Sequence, residues 1–219
     1  MDTVLRVAVI LVVAYLLGAI PFAVIVGRLF YRVDVRQHGS GNAGATNVMR
    51  VLGLPAGIAV LLLDGLKGAA AALFAMQVYP EALNATAYDW VLIGASFAAV
   101  LGHSYSPFLG FSGGKGVATA AGALLVVMPA VWPILIAVFV LVVAIWRMVS
   151  LGSIVIAALY PVLVLVFYGD RPAFIVFSFV AAGLVLWRHR ANMARILRGE
   201  EAKMSLGRGV PGRREEDPR

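Results

Sequence analysis

No cysteine occurs among the 219 residues, so disulfides, thiolate metal sites and a cysteine nucleophile are excluded. Charge is also scarce. Asp, Glu, Lys and Arg make up 13% of the chain against 62% apolar residues, with a mean hydropathy of +0.93, far outside the mix of a soluble domain. That composition describes an all-α, polytopic integral membrane protein. The net charge of +7 is read by location, since Lys and Arg at membrane ends report topology and headgroup attraction before they report nucleic acid. No nucleic-acid partner is expected. Histidine is rare as well: His38, His103 and His189 are scattered, no H-E-x-x-H occurs, and none has a carboxylate at a useful local spacing, so no metal is expected.

What is present is a series of apolar runs. Val7 to Val26 reads as one spanning helix, retained because no small-x-small cleavage site follows a short core. Arg28, Arg32 and Arg36 lead into a glycine-rich loop ending at Arg50, which the positive-inside rule places in the cytoplasm, with the N-terminus outside. The second run, 51–78, holds Asp64 and Lys67, which at i and i+3 share a helix face. They either pair with each other or face a polar interior and brace a site, and a break near Pro55 or Gly65 fits the pattern too. A stretch with Glu81 and Asp89 and no Lys or Arg reads as an outer loop, and Trp90 to Leu101 returns inward. Pro129 and Pro133 divide 117–145 into two short helices, and 154–168 and 173–187 follow. The expected architecture is about seven transmembrane helices, N-terminus outside and C-terminus cytoplasmic. Residues 1–198 form the membrane domain, and 199–219 form a charged, solvated cytoplasmic tail.

This topology puts four polar stretches, 39–50, 102–119, 147–153 and 188–192, on one cytoplasmic face. Together they hold Arg50, Lys115, Arg147, Arg188 and Arg190, with hydroxyls, amides and many glycines, and no Asp or Glu. Cations and amide donors without a carboxylate suit an anion, phosphate above all. The Gly113-Gly114-Lys115-Gly116 loop superficially matches a nucleotide-binding loop. It fails that pattern: Leu109 stands where the first glycine belongs, and Gly116 stands where a magnesium-binding Ser or Thr belongs. The physics of lysine and backbone donors at a helix N-terminus is retained, and the ATPase reading is dropped.

The runs GSGNAGATNVMR, GHSYSPFLGFSGGKGVAT and RMVSLGS, with the later HRAN, resemble the bacterial acyl-phosphate:glycerol-3-phosphate acyltransferase (PlsY) family. The resemblance covers the chain to about Arg198. It implies a multi-pass enzyme of the cell membrane with a cytoplasmic active site. That enzyme moves a fatty acyl group from acyl phosphate to the 1-hydroxyl of glycerol 3-phosphate, giving lysophosphatidic acid and phosphate. No cofactor is implied; the partners are the two substrates, membrane lipids and, functionally, an enzyme that forms acyl phosphate.

Carried onto matching positions, the resemblance assigns Ser40, Arg50, Lys115, Ser153, His189 and Asn192 to catalysis. Arg50 and Lys115 hold phosphoryl groups, and Ser153, His189 and Asn192 hold glycerol phosphate. Gly41, Asn42, Gly44, Thr46, Asn47, Gly113, Gly114 and Gly116 line the phosphate site. The base is His103, His189 or a substrate phosphate oxygen; the last is preferred because a second phosphate ionisation near pH ~6 makes it serviceable at neutrality. Thioester-using acyltransferases carry H-x-x-x-x-D, whereas the residues five beyond the three histidines are Ala43, Phe108 and Ala194. The rival reading is a transporter of small organic phosphates, which calls for a midplane site and matched halves.

Overall fold

A computed structural model describes residues 2–80 and 85–204, and within them the regular structure is helical apart from an isolated bridge between Ser106 and Ser112. The helices are α1 (Thr3–Ala19), α2 (Phe22–Tyr31), α3 (Ala45–Leu52), α4 (Leu54–Val78), α5 (Ala85–Ser104), α6 (Val117–Val127), α7 (Trp132–Trp146), α8 (Val149–Phe167), α9 (Pro172–Arg188) and α10 (Arg190–Leu197). Each expected apolar run is helical. The stretch Thr3–Tyr31 and the helices α4 and α8 are each long and apolar enough to cross a membrane, and α9 with α10, bent by 59°, form a further candidate. The helices α6 and α7 are shorter and are separated where Pro129 and Pro133 were expected to divide them.

Four local expectations need correction. The first apolar run is not one helix: Pro21 has no N–H to continue the ladder, and the chain is interrupted between α1 and α2. The glycine-rich stretch is not loop throughout, because after Gly44 it winds into α3, which carries Arg50 in its last turn. In α4, Pro55 sits in the first turn, where its missing N–H costs nothing, so the helix runs unbroken past Gly65. Of the two acids expected in an outer loop, Asp89 lies within α5 and pairs with Arg171 at 3.4 Å, while Glu81 is outside the described residues.

Glycine sets the tightest crossings. A Cβ on Gly18 or Gly102 would strike backbone of the partner helix, so α1 and α5 pack backbone to backbone; Gly68 and Gly122 do the same for α4 and α6. These contacts hold the C-terminal ends of α1 and α5 together and the middle of α4 against α6. The larger apolar core, centred on Ile10, Met128, Val164 and Phe174, fills the opposite part of the bundle.

Candidate active site

All four polar stretches meet at one place. Asn42 Nδ2 donates to the Gly113 carbonyl at 3.3 Å, joining the first stretch to the second. Lys115 Nζ donates to Asn192 Oδ1, joining the second to the fourth. The third enters through Ser150, whose hydroxyl and Asn192 Nδ2 both donate to Glu201 Oε1, at 2.7 and 2.6 Å. Because Asn192 accepts from an ammonium and donates to a carboxylate, its amide orientation is fixed by its neighbours.

Glu201 corrects two expectations. The site does contain a carboxylate, and the tail expected to be solvated from residue 199 folds back on it through Met204. The cause is local: α10 ends in a Schellman turn, with Gly199 at φ +72°, Gly199 N–H bonded to Ile196 and Glu200 N–H bonded to Arg195. That reversal carries Glu201 onto α10, where Arg195 Nε donates to Oε2 at 2.7 Å, and Met204 then bonds Arg147 through N–H and carbonyl. Burial pushes the Glu201 carboxyl up, but the bonds from Asn192, Ser150 and Arg195 outweigh it and hold it below the usual glutamate range. Removing the side chain leaves several polar partners unpaired. Glu201→Ala is therefore expected to cost about 3 kcal/mol of stability and to raise the KM for a phosphate substrate, both partly restored by Gln; thermal unfolding and steady-state kinetics in detergent check it.

Lys115 sits directly before Gly116, which adopts φ +83° and caps α6, so its backbone leads into a helix N-terminus while its ammonium reaches Asn192. Its pKa is lowered to about 8, first by burial and then by the charges of Arg195, Arg188 and Arg50, against the opposing pull of Glu201. His189 is 3% exposed at the bend between α9 and α10. Its Nδ1 faces the Val185 carbonyl at 2.8 Å, which can only accept, so the ring's free lone pair is on Nε2. Burial, then the Lys115 charge, push its pKa down to about 4, and the ring is neutral at physiological pH.

Several residues expected to bind phosphate are committed elsewhere. Asn47 is buried: its Nδ2 donates to the Val35 and His38 carbonyls, and its Oδ1 accepts from Ser40 N–H and Oγ, so it shapes the loop that presents Ser40. Gly41 N–H bonds His38 and Gly114 N–H bonds His103, so neither amide points to a ligand. Gly113 offers its carbonyl, shared by Asn42 and Arg188. Arg188 is a latch rather than a free cation: it donates to Gly113 and Gly114 carbonyls at 3.1 and 2.7 Å and lies over the Tyr105 ring. Ser153 Oγ donates to Val149 within its own helix. Arg50 and Thr46 are exposed on α3, and Gly44 caps that helix.

His103 is not turned to solvent as a base. It is 7% exposed, with Nδ1 3.5 Å from Asp64 Oδ1, and Asp64 pairs with Lys67 at 2.7 Å. The first reading of that pair holds, since the charges satisfy each other, and Asp64 also reaches the His103 ring on α5. Lys67 donates to the Ile20 carbonyl at 2.8 Å, Ser106 Oγ to the Ala19 carbonyl at 2.7 Å, and Tyr15 OH to the Tyr105 carbonyl at 2.7 Å. At the other end, a Cβ on Gly114 would strike the His103 ring. The interruption in the first apolar run is thus tied through Lys67, Asp64 and His103 to the residue before Lys115.

The family profile described as glycerol-3-phosphate acyltransferase matches residues 8–199. The chain belongs to that family. It is 45% identical over 211 residues to the glycerol-3-phosphate acyltransferase of Geobacillus kaustophilus, covering 94% of this chain and 98% of that one. It is 47% identical over 196 residues to glycerol-3-phosphate acyltransferase 2 of Moorella thermoacetica, covering 89% and 95%. Crystal structures of PlsY (YgiH), an integral membrane glycerol 3-phosphate acyltransferase, in glycerol 3-phosphate and lysophosphatidic acid forms, are similar with TM-scores of 0.82 and 0.80. Both are 38% identical, with 91% of this chain and 96% of theirs covered. Glu201 and the link from the Asp64–Lys67 pair to His103 were missed because no motif contains them together; the sequence signal for Glu201 is the glycine that stops α10 two residues earlier.

Proposed function

We propose that the protein transfers a fatty acyl group from acyl phosphate to the 1-hydroxyl of glycerol 3-phosphate, at the cytoplasmic end of a seven-span bundle in the cell membrane with its N-terminus outside. The observation that carries this is the meeting of Lys115, Asn192 and His189 beside an α6 N-terminus, at the mouth of an apolar interior. The site has positive charge for two phosphates, and the adjoining interior suits a lipid chain. Family membership and the glycerol 3-phosphate and lysophosphatidic acid forms of the similar structures support the same substrate and product.

Acyl phosphate is already activated, so the protein's work is alignment and charge neutralisation. Arg50 and Lys115 offset the repulsion between the two phosphates, with Ser40 and the α6 N-terminus adding donors. Neutral His189 accepts a hydrogen bond at Nε2 from the glycerol, and Ser153 borders the acyl carbonyl. The 1-hydroxyl oxygen attacks that carbonyl, the bond to the phosphate oxygen breaks, and the hydroxyl proton leaves on the phosphate. A histidine near pKa 4 is a poor proton store at neutrality, which favours phosphate as the base and leaves His103 as a positioning residue. Acyl transfer by purified protein in lipid, comparing acyl phosphate with acyl-CoA, tests the donor. Accumulation of labelled glycerol 3-phosphate in proteoliposomes without transfer would make the protein a transporter.

Lys115 binds anions only while protonated. As pH rises through about 8, its charge is lost from the free enzyme, so kcat/KM is expected to fall on the alkaline side with an apparent pKa near 8. Below pH ~6 the substrate phosphate gains its second proton and the rate falls again. A pH profile of kcat/KM from 5 to 10, with Lys115→Arg moving the alkaline limb upward, checks both limbs.

A further inference from the structure

The peptide joining Gly113 to Gly114 is held at both edges. Its carbonyl accepts from Arg188 Nη2 at 3.1 Å and from Asn42 Nδ2 at 3.3 Å, and its N–H donates to the His103 carbonyl at 3.1 Å. The next peptide, Gly114 to Lys115, is held at one edge. Its carbonyl accepts from Arg188 Nη2 at 2.7 Å, whereas the Lys115 N–H has no hydrogen-bond partner among the described residues. In a trans peptide such as this one the C=O and N–H point opposite ways, so the Lys115 N–H is turned away from Arg188. With glycine on one side, the plane could flip at little steric cost, and the bond from Arg188 is what fixes its direction. The guanidinium is fixed in turn: it lies over the Tyr105 ring and also reaches the Ser104 carbonyl at 3.5 Å.

Acyl transfer needs a donor of this kind. When the 1-hydroxyl oxygen adds to the acyl carbonyl carbon, an electron pair moves onto the carbonyl oxygen and stays there until the phosphate leaves. The other groups around the site are committed. Ser153 Oγ donates to Val149, the Gly41 and Gly114 N–H groups are bonded to backbone carbonyls, and Arg50 and the Lys115 ammonium are assigned to the phosphates. Val117, two residues beyond Lys115, lines one cavity with Ser153, so this backbone flanks the residue that borders the acyl carbonyl. Resting on the function proposed above, we propose that the Lys115 N–H donates to the oxyanion and that Arg188 is the positioning residue that aims it.

The test is steady-state kinetics of Arg188 variants in lipid, with both substrates varied. Arg188→Ala frees the plane and lowers kcat about 10²-fold, while KM for glycerol 3-phosphate and for acyl phosphate stays within about threefold. Arg188→Lys holds the Gly114 carbonyl but loses the fork and the ring contact, and its kcat falls about tenfold. A spectroscopic reading accompanies the rates, because structural damage alone lowers the active fraction and leaves a bound carbonyl unchanged. In a β-ketophosphonate, a methylene replaces the bridging oxygen of acyl phosphate. Its carbon-13 carbonyl stretch shifts to lower frequency in the wild-type site, and the shift is lost in Arg188→Ala at saturating ligand. A kcat within about threefold of wild type in Arg188→Ala, or a loss confined to KM, overturns the proposal. Where alanine fails to fold, the wild-type spectrum and the rate of Arg188→Lys decide it. Wild-type transfer from acyl phosphate with an unshifted carbonyl overturns this assignment alone; no wild-type transfer overturns the function on which it rests, and this assignment with it.

Discussion

Replacing Lys115 with alanine is expected to lower kcat/KM by about 10³-fold, the scale of losing a preorganised charge from a site that develops negative charge. The melting temperature should barely change. Lys115 is a half-buried cation among Arg50, Arg188 and Arg195, and among the described residues its side chain bonds Asn192, so folding loses that bond and gains relief from repulsion. Arginine should recover binding better than turnover, because its fork cannot reproduce a compact ammonium at Asn192. Initial rates with labelled glycerol 3-phosphate decide it: an alanine variant within tenfold of wild type would remove Lys115 from the site.

The second large effect lies away from the substrate. Asp64→Ala or Lys67→Ala alone strands a buried charge, at a cost of about 3–5 kcal/mol. Replacing both, as Asp64→Leu with Lys67→Met, removes the two charges together and should recover most of that stability. Turnover should not recover with it. Without Asp64, nothing holds His103 Nδ1, and the ring against which Gly114 packs is free to turn, so the residue before Lys115 loses its rest. The expected signature is a double variant with near-normal thermal unfolding in detergent and kcat at least tenfold below wild type. Equal recovery of both would reduce the cluster to a structural pair.

The apolar runs were legible because burial in lipid is written in composition, and the split between α6 and α7 was legible because two prolines mark it. The meeting of the four polar stretches agrees with the expectation that these motifs gather in one place. What stayed hidden was the direction of individual groups. Asn47, Gly41 and Gly114 have the chemistry to bind phosphate, but their donors are taken by the backbone of the loops that they shape. The winding of α3 was masked by glycines that end just before it. Glu201 was invisible because a glutamate among charged neighbours reads as solvated, and only the reversal at Gly199 sends it inward.

The interruption at Ile20 and Pro21 bears on how the chain enters the bilayer. The carbonyls of Ala19 and Ile20 lose their helical partners at the break and are taken up by Ser106 and Lys67. Before those residues arrive, the Ala19 carbonyl faces hydrocarbon unpaired and the Ile20 carbonyl has only a local bond from the Phe22 N–H at 3.1 Å. The stretch bearing Lys67 is no better off, since a charge at a helix centre costs about 2.5–3.5 kcal/mol to insert. Each is a poor passenger alone and a good one beside the other. Ile20 finds its partner in α4, whereas Ala19 waits for Ser106, so the break is fully satisfied only once α5 and the loop after it have joined. Exchanging α1 and α2 for a uniform leucine helix would raise hydropathy while leaving the lysine of α4 without its place to dock.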